Sequence, residues 1–197
     1  MTRDSKGDAP LEREIKLALD DVPGCLARLQ ELGAVEVEER RFEDNRLFDD
    51  PAQSHAARDC ILRLRTKGRP GEDPGPGILT FKGPARIDEG ARVREELETR
   101  VEDAVMLADI LGRMGLVPTF RYQKSRRYLE LDGASLALDD TPLGGFLEIE
   151  GPQDVIDRLA GELGCGRDDY VTESYPALWR AAGNEGDMLW PEGEADR

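Results

Sequence analysis

Glu12, Glu14 and Lys16 stand two residues apart near the start of a 197-residue chain. In a β-strand that spacing places all three on one face. The same arrangement recurs downstream, with Arg63 and Arg65, Lys82, then Arg94, Glu96 and Glu98, then Lys124 and Arg126, then Asp139, and finally Glu148 and Glu150. A half-exposed sheet face also alternates polar with apolar residues. This set differs in being almost free of Ser, Thr, Asn and Gln, and in being segregated by sign. Carboxylates pair with carboxylates (Glu12/Glu14, Glu96/Glu98, Glu148/Glu150) and cations with cations (Arg63/Arg65, Lys124/Arg126). Like charges two apart on one face repel, so each cluster calls for a neutralising partner. Divalent metal neutralises carboxylates, and a phosphate chain neutralises Arg and Lys. A sheet closed on itself can hold both inside. The expected architecture is α+β: a closed, antiparallel barrel turned inside out, with a charged interior and helices packed outside. Its natural ligand is a metal-complexed polyphosphate.

The elements that would position these residues follow from periodicity. Residues 10–19 read as a strand. Asp20-Asp21 and Pro23 open a helix with Val22, Cys25, Leu26, Leu29 and Leu32 on one stripe, stopped by Gly33. Further strands are expected over 34–49, 59–67, 78–82 and 92–100, a helix over 102–114, and strands over 117–131, 135–139 and 146–150. Gly151-Pro152 starts a third helix, and residues 170–181 read as a last one. The Pro- and Gly-rich run 68–77 reads as a hairpin loop. One domain over 10–181 is expected, with flexible tails at 1–9 and 183–197. About eight strands with few crossover helices favour the antiparallel arrangement.

Composition narrows the partners. Net charge is −15, which disfavours nucleic acid and anionic membranes. No apolar run approaches a membrane span, and a cytoplasmic location is the simplest expectation. Cys25, Cys60 and Cys165 are far apart and read as structural thiols rather than a zinc or disulfide framework. His55 is the only histidine and lies in a polar connection, which makes a Ser-His-Asp triad an unpromising reading. Arg40, Arg41, Arg46, Glu95 and Arg127 read as outer charges, and Tyr175 and Trp179 as core.

Glu12-x-Glu14-x-Lys16 resembles the N-terminal motif of the CYTH superfamily, the triphosphate tunnel metalloenzymes, which include class IV adenylate cyclases and thiamine and inorganic triphosphatases. Leu62-Arg63-Leu64-Arg65, Leu79-Thr80-Phe81-Lys82-Gly83-Pro84, Arg94-Glu95-Glu96-Leu97-Glu98, Lys124-x-Arg126, Asp139 and Phe146-Leu147-Glu148-Ile149-Glu150 resemble its later blocks in order, and Ser174-Tyr175 a C-terminal element. The likeness covers about residues 10–180. It implies an eight-stranded antiparallel tunnel. It also implies metal ligation by Glu12, Glu14, Glu148 and Glu150 with Asp139, and a second metal, or its water, near Glu96 and Glu98. Lys16, Arg63, Arg65, Lys82, Arg94, Lys124 and Arg126 would grip the triphosphate, with Lys16, Arg94, Lys124 and Arg126 acting in catalysis. All-oxygen ligands suit Mg2+ or Mn2+. Residues 45–49 read Asn-Arg-Leu-Phe-Asp, so the second-strand tyrosine that some members pair with the motif lysine is absent.

The leading expectation is metal-dependent hydrolysis of a triphosphate compound: inorganic tripolyphosphate, thiamine triphosphate or a nucleoside triphosphate. Cyclisation of ATP to cyclic AMP and pyrophosphate is the alternative, and a non-catalytic polyphosphate- or nucleotide-binding module the third. The partner is a triphosphate-containing small molecule, and the protein a monomer or homodimer.

Overall fold

The computed structural model describes residues 10–68 and 75–191. The expectations for residues 1–9, for 69–74 of the hairpin loop and for 192–197 lie outside them. In chain order the strands are β1 (Leu11–Leu19), β2 (Val35–Asp49), β3 (Ile61–Lys67), β4 (Gly77–Lys82), β5 (Arg86–Asp88), β6 (Ala91–Val101), β7 (Val117–Leu131), β8 (Ala134–Thr141) and β9 (Gly144–Glu150). The helices are α1 (Val22–Glu31), α2 (Ala104–Arg113), α3 (Gln153–Glu162) and α4 (Tyr175–Ala181). None is long and apolar enough to cross a membrane.

Eight strands form an antiparallel ring in the order β1-β9-β8-β7-β2-β3-β4-β6, and β6 pairs back onto β1. This is the expected α+β tunnel. β1 closes it with its two halves: Leu11–Glu14 pairs with β6, and Glu14–Leu19 pairs with β9. Closure leaves no long unpaired edge. β5, which periodicity does not reveal in so short a segment, adds to the outside of β6. Turn chemistry supports the tight connections. Asp132 and Gly133, with φ of 52° and 79°, make the two-residue β7–β8 turn. Gly145 lets α1 lie close, because a Cβ there would stand 2.2 Å from Val22 Cγ2.

Alternation sends the apolar residues outward, under the helices. Leu29 of α1 and Ile156 and Leu159 of α3 pack on Ile15, Leu17, Leu129, Leu136, Leu147 and Ile149, all essentially inaccessible. α2 covers Phe48 and Leu64 with Leu111. Side-chain caps fix the starts of two helices. Asp21 accepts from the Gly24 N–H at 2.9 Å and Asp103 from the Met106 N–H at 2.8 Å.

Two C-terminal expectations change. The last helix begins at Tyr175, not at 170, because Pro176 lacks an N–H and belongs in a first turn. The preceding residues are extended instead, and the Val171 N–H donates to Lys16 O at 2.8 Å. The segment from 183, expected to be loose, is docked as far as Pro191. Met188 is fully buried and exchanges backbone bonds of 2.9 Å with Arg121 and Gln123, on the part of β7 that β8 leaves unpaired. Its side chain joins Phe120, Tyr122, Phe146 and Tyr175 over one end of the ring.

Candidate active site

The inward faces of the ring enclose a cavity of about 410 Å³, within the ordinary range of small-molecule sites. Every residue singled out from strand parity lines it except Asp139. The charges are sorted onto two walls.

The cationic wall is built by β3 and β7. Arg65 donates to the Tyr128 hydroxyl at 3.0 Å and approaches Glu98 at 3.4 Å and Glu43 at 3.6 Å. Arg63 donates to Thr80 Oγ1 at 3.3 Å, with Glu96 at 3.8 Å and Glu98 at 3.9 Å. Lys124 Nζ is 2.9 Å from Asp139, and Arg126 reaches the same carboxylate through Nε and Nη2, both at 2.5 Å. Arg126 Nη2 also bonds to Glu148. The family resemblance implies that Asp139 is a further metal ligand. The register instead sets it opposite Arg126, and it lies fully buried with its oxygens taken by Lys124, Arg126 and, at 2.5 Å, the Tyr175 hydroxyl. It lies on the inward face beneath the lining cations and anchors them. Glu148 likewise belongs to this side. Burial pushes its carboxyl upward, but Arg126, Lys124 and Lys16 hold it well below the usual range.

Strand parity does not reveal Glu43. It is fully buried, Tyr128 donates to it at 3.2 Å, and Lys124 stands 4.0 Å away. Burial raises its pKa, yet the charges of Lys124, Arg126, Arg65 and Arg63 win and hold it at about 2. A carboxylate set among four cations fixes their positions without consuming them. The pattern that points to it, Glu43-x-Asn45-x-Leu47 on one face of β2, is masked by the dense charge of both parities upstream.

The acidic wall comes from β1, β6 and β9. Glu12, Glu14, Glu96 and Glu150 line it, with Glu14 and Glu150 directly opposite in register. Lys82 of β4 reaches into it, 2.7 Å from Glu12 and 3.0 Å from Glu96. Burial pushes Glu96 up, but a hydrogen bond from Glu12 and the charges of Lys82 and Arg63 hold it at about 2, and the other carboxyls are less well paired. Burial, then the charge of Glu14, pushes Glu12 up to about 9. Burial, against Lys82 and with the charge of Glu14, also raises Glu150. The donor set is all carboxylate oxygen, and no His or Cys lines the cavity, which fits a hard divalent cation.

Lys16 lies between the walls, 3.5 Å from Glu148 and 3.4 Å from the Glu173 carbonyl, with its Nζ 4.7 Å from the centre of the Tyr175 ring. An aromatic partner for Lys16 therefore comes from α4 instead of β2. Tyr175, read from spacing as core, is both core and cavity lining. Arg94, expected to grip phosphate, gives its Nε and Nη2 to the Gly83 carbonyl at 3.0 and 2.7 Å, and Nη2 also to that of Asp59 at 2.9 Å. It borders the cavity while holding the loops at its rim. His55 lies elsewhere. Its Nδ1 is 2.8 Å from Asp49, and backbone N–H groups of His55, Ala56 and Asp50 cap the same carboxylate. Arg127 and Arg40 point outward to Glu36 and Asp140.

The profile of the CYTH domain family matches residues 10–162. A candidate adenylate cyclase of Methanocaldococcus jannaschii is 28% identical over 141 residues, which is 71% of this chain and 76% of that protein. Among solved structures, a candidate adenylate cyclase of Vibrio parahaemolyticus superposes with a TM-score of 0.75 at 18% identity, over 87% of this chain and 99% of that one. A Hippeastrum protein, described as an adenylyl cyclase candidate with a dominant triphosphatase activity, gives 0.64 at 19% identity, over 87% and 95%. The matched span contains both walls, from Glu12 to Glu150, and the ring that carries them, and the chain belongs to the CYTH domain family.

Proposed function

We propose that the protein is a metal-dependent triphosphatase that releases the terminal phosphate of a triphosphate compound bound between the two walls. One observation carries this reading: one cavity sets a preassembled cationic wall against a wall of carboxyls, where burial and then the charge of Glu14 raise Glu12 and Glu150. Anion affinity alone would need only the first wall.

Glu12, Glu14, Glu96 and Glu150 would hold the divalent cation, with Glu98 and Glu148 at the borders. When bound, such a cation neutralises phosphate oxygens and makes water a better nucleophile. The remaining work falls to the chain itself. Arg63, Arg65, Lys124 and Arg126 bind the phosphate oxygens and stabilise charge that spreads over them as the bond breaks. Asp139 and Glu43 hold those cations in place, which lowers the cost of reorganisation. Lys16 is placed to follow the phosphoryl group between the walls. The Phe120–Met188 cluster excludes water at one end. No side-chain nucleophile is required.

ATP cyclisation is the second reading, supported by the name of the M. jannaschii relative. Two features favour hydrolysis. Tyr122 packs on Tyr175, with ring centres 5.7 Å apart. Tyr128 lies between Lys67 and Arg126, at 5.8 and 5.5 Å. Among the described residues each aromatic ring lining the cavity thus already packs on a neighbour, which leaves less ring face for a base.

The test is a product-resolved panel of tripolyphosphate, thiamine triphosphate and nucleoside triphosphates with Mg2+ or Mn2+. Orthophosphate is expected. Cyclic AMP with pyrophosphate from ATP would establish the second reading, and no turnover of any substrate would defeat both. Tight polyphosphate binding without turnover, kept by Glu148→Ala, would instead favour a binding module.

A further inference from the structure

Lys82 is, among the described residues, the one cation whose charged end lies within hydrogen-bond distance of the acidic wall. Its Nζ stands 3.0 and 2.7 Å from the two oxygens of Glu12 and 3.0 Å from Glu96. The other cations nearby are engaged elsewhere. Lys16 meets Glu148, on the cationic side. Arg92 and Arg94 give their Nη atoms to Asp59 and to the carbonyls of Thr172 and Gly83. Arg63 donates to Thr80 and stands 3.8 Å from Glu96. Lys82 is also within reach of a ligand, since it lines the cavity and keeps 12% of its side chain accessible.

Its place in the ring explains the contact. β4 is the strand between β3, of the cationic wall, and β6, of the acidic wall. Lys82 lies opposite Ile61 on one side and Glu96 on the other. Arg63, two residues beyond Ile61, shares the inward face. The two cations meet at one carboxylate, Lys82 at Oε2 of Glu96 and Arg63 at Oε1. The ammonium thus stands on the seam, with carboxyls to one side and a phosphate-binding arginine to the other.

This contact is built for exchange. Glu12 and Glu96 are two of the four groups that would hold a divalent cation, and a cation held there would face the lysine charge at close range, where like charges repel. The same wall keeps the lysine charged. Burial pushes its ammonium toward the neutral form, and the charges of Glu14, Glu12 and Glu96 outweigh burial and the opposing charge of Arg63. A lysine head is a point charge on a flexible four-carbon stem, with no planar fork to lock it to a carboxylate. The cationic wall differs, because there Arg126 grips Asp139 through two nitrogens.

We propose that Lys82 is an exchangeable counter-ion: it competes with the divalent cation for Glu12 and Glu96 and, once displaced, turns to the triphosphate beside Arg63. The inference rests on the triphosphatase reading. Its consequence is an order of assembly. Lys82 joins the phosphate grip only as metal takes the carboxyls, so one side chain couples the binding of metal to the binding of triphosphate.

The experiment compares wild type with Lys82→Met and Lys82→Arg in three measurements: calorimetric Mn2+ affinity of the protein alone, calorimetric tripolyphosphate affinity without metal, and KM for the Mn2+ complex of tripolyphosphate. Lys82→Met should bind Mn2+ on the order of tenfold more tightly, leave metal-free tripolyphosphate affinity within about twofold, and raise KM on the order of tenfold, the size of one charge-assisted hydrogen bond. Lys82→Arg should weaken Mn2+ binding, because a guanidinium grips carboxylates at two points. Unchanged or weaker Mn2+ binding by Lys82→Met would overturn the proposal. If that variant does not fold, unchanged or tighter binding by Lys82→Arg would do the same. A fall of metal-free tripolyphosphate affinity in Lys82→Met would also overturn it, since Lys82 would then hold phosphate without waiting for metal. An unchanged KM would overturn its phosphate half. A wild-type protein that releases no phosphate would sink the triphosphatase reading, while Mn2+ affinity, read without turnover, still decides the competition.

Discussion

The two walls of the cavity use the same side chains and reach opposite states. On the β3–β7 wall every carboxylate is embedded in cations. Glu43 is held at about 2 despite complete burial, and Asp139 accepts from Lys124, Arg126 and Tyr175. On the β1–β6–β9 wall carboxyls face carboxyls, and burial and the charge of Glu14 drive Glu12 up to about 9 although Lys82 stands 2.7 Å away. The first wall is finished by folding. The second is left with crowded carboxyls that its one lysine does not fully pair. Burying like charges together costs free energy, so a fold that keeps the arrangement keeps it for something that binds there.

Substitutions can break that contrast, and the largest effect is expected at Arg126. Arg126→Ala removes the shared partner of Asp139 and Glu148. Turnover should fall by about 10³-fold or more, tripolyphosphate affinity should fall even without metal, and stability should drop by about 3–5 kcal/mol. Urea unfolding and calorimetry would show it, and unchanged metal-free affinity would refute the division into walls. On the other wall, Glu150→Gln should raise the Mg2+ or Mn2+ concentration needed for half-maximal rate by at least the ~10–100-fold seen when a metal site is disturbed. Metal-free anion affinity should stay the same or improve. A fall in that affinity would mean that the walls are not separate.

The third test uses acid. Glu43 has a folded pKa below its usual 4.5, near 2. Its contribution is therefore fully present above pH ~4.5 and is lost as pH falls from there toward 2. The contribution is on the order of 3 kcal/mol. Glu43→Gln should flatten that limb of the stability curve between pH 5 and 2, and an unchanged limb would remove Glu43 from the account. Smallest is Tyr175→Phe, which deletes the hydroxyl bond to Asp139 while keeping the ring beside Lys16. A loss of about 1.5–3 kcal/mol with no more than about a tenfold change in rate is expected. A collapse of activity would give the hydroxyl a chemical task.

Much of the ring and of both walls is legible in the amino-acid sequence, for a specific reason. Along β1, β3, β6, β7 and β9 the charges recur on one parity with mostly apolar residues on the other, Arg13, Glu95, Arg121 and Arg127 being exceptions, so parity separates Glu12 from Ile15 and Arg63 from Leu64. β2 is different. Residues 36–44 carry charges of both parities, and the register shifts between Glu36 and Glu38 and again between Glu38 and Arg41, so no face can be read there and Glu43 stays hidden. Asp139 has the right parity, but its role depends on which residue lies opposite it, and register across strands is not encoded in either strand alone. Tyr175 is core as its spacing suggests, but its second place on the cavity lining is not legible, because its contacts come from strands far away in the chain. The docking of 183–190 rests on buried Met188 and on hydrogen bonds that link Asp187 and Trp190 to β7, and three apolar residues in a Gly- and acid-bearing stretch are too few to mark a segment as ordered.

The double pairing of β1 carries a consequence for how the molecule is made. Of the strands in the ring, β1 is the first to leave the ribosome, yet one of its partners ends at Glu150. Until that residue is synthesised, the ring cannot close, and the edge of β1 waits unpaired. Pairings this distant in sequence slow folding and lengthen the time an edge is exposed. That waiting edge, Glu14–Leu19, carries Glu14 and Lys16, charges that discourage pairing with a wrong strand. The motif that assembles one wall of the cavity thus also guards the chain while it is still unfinished.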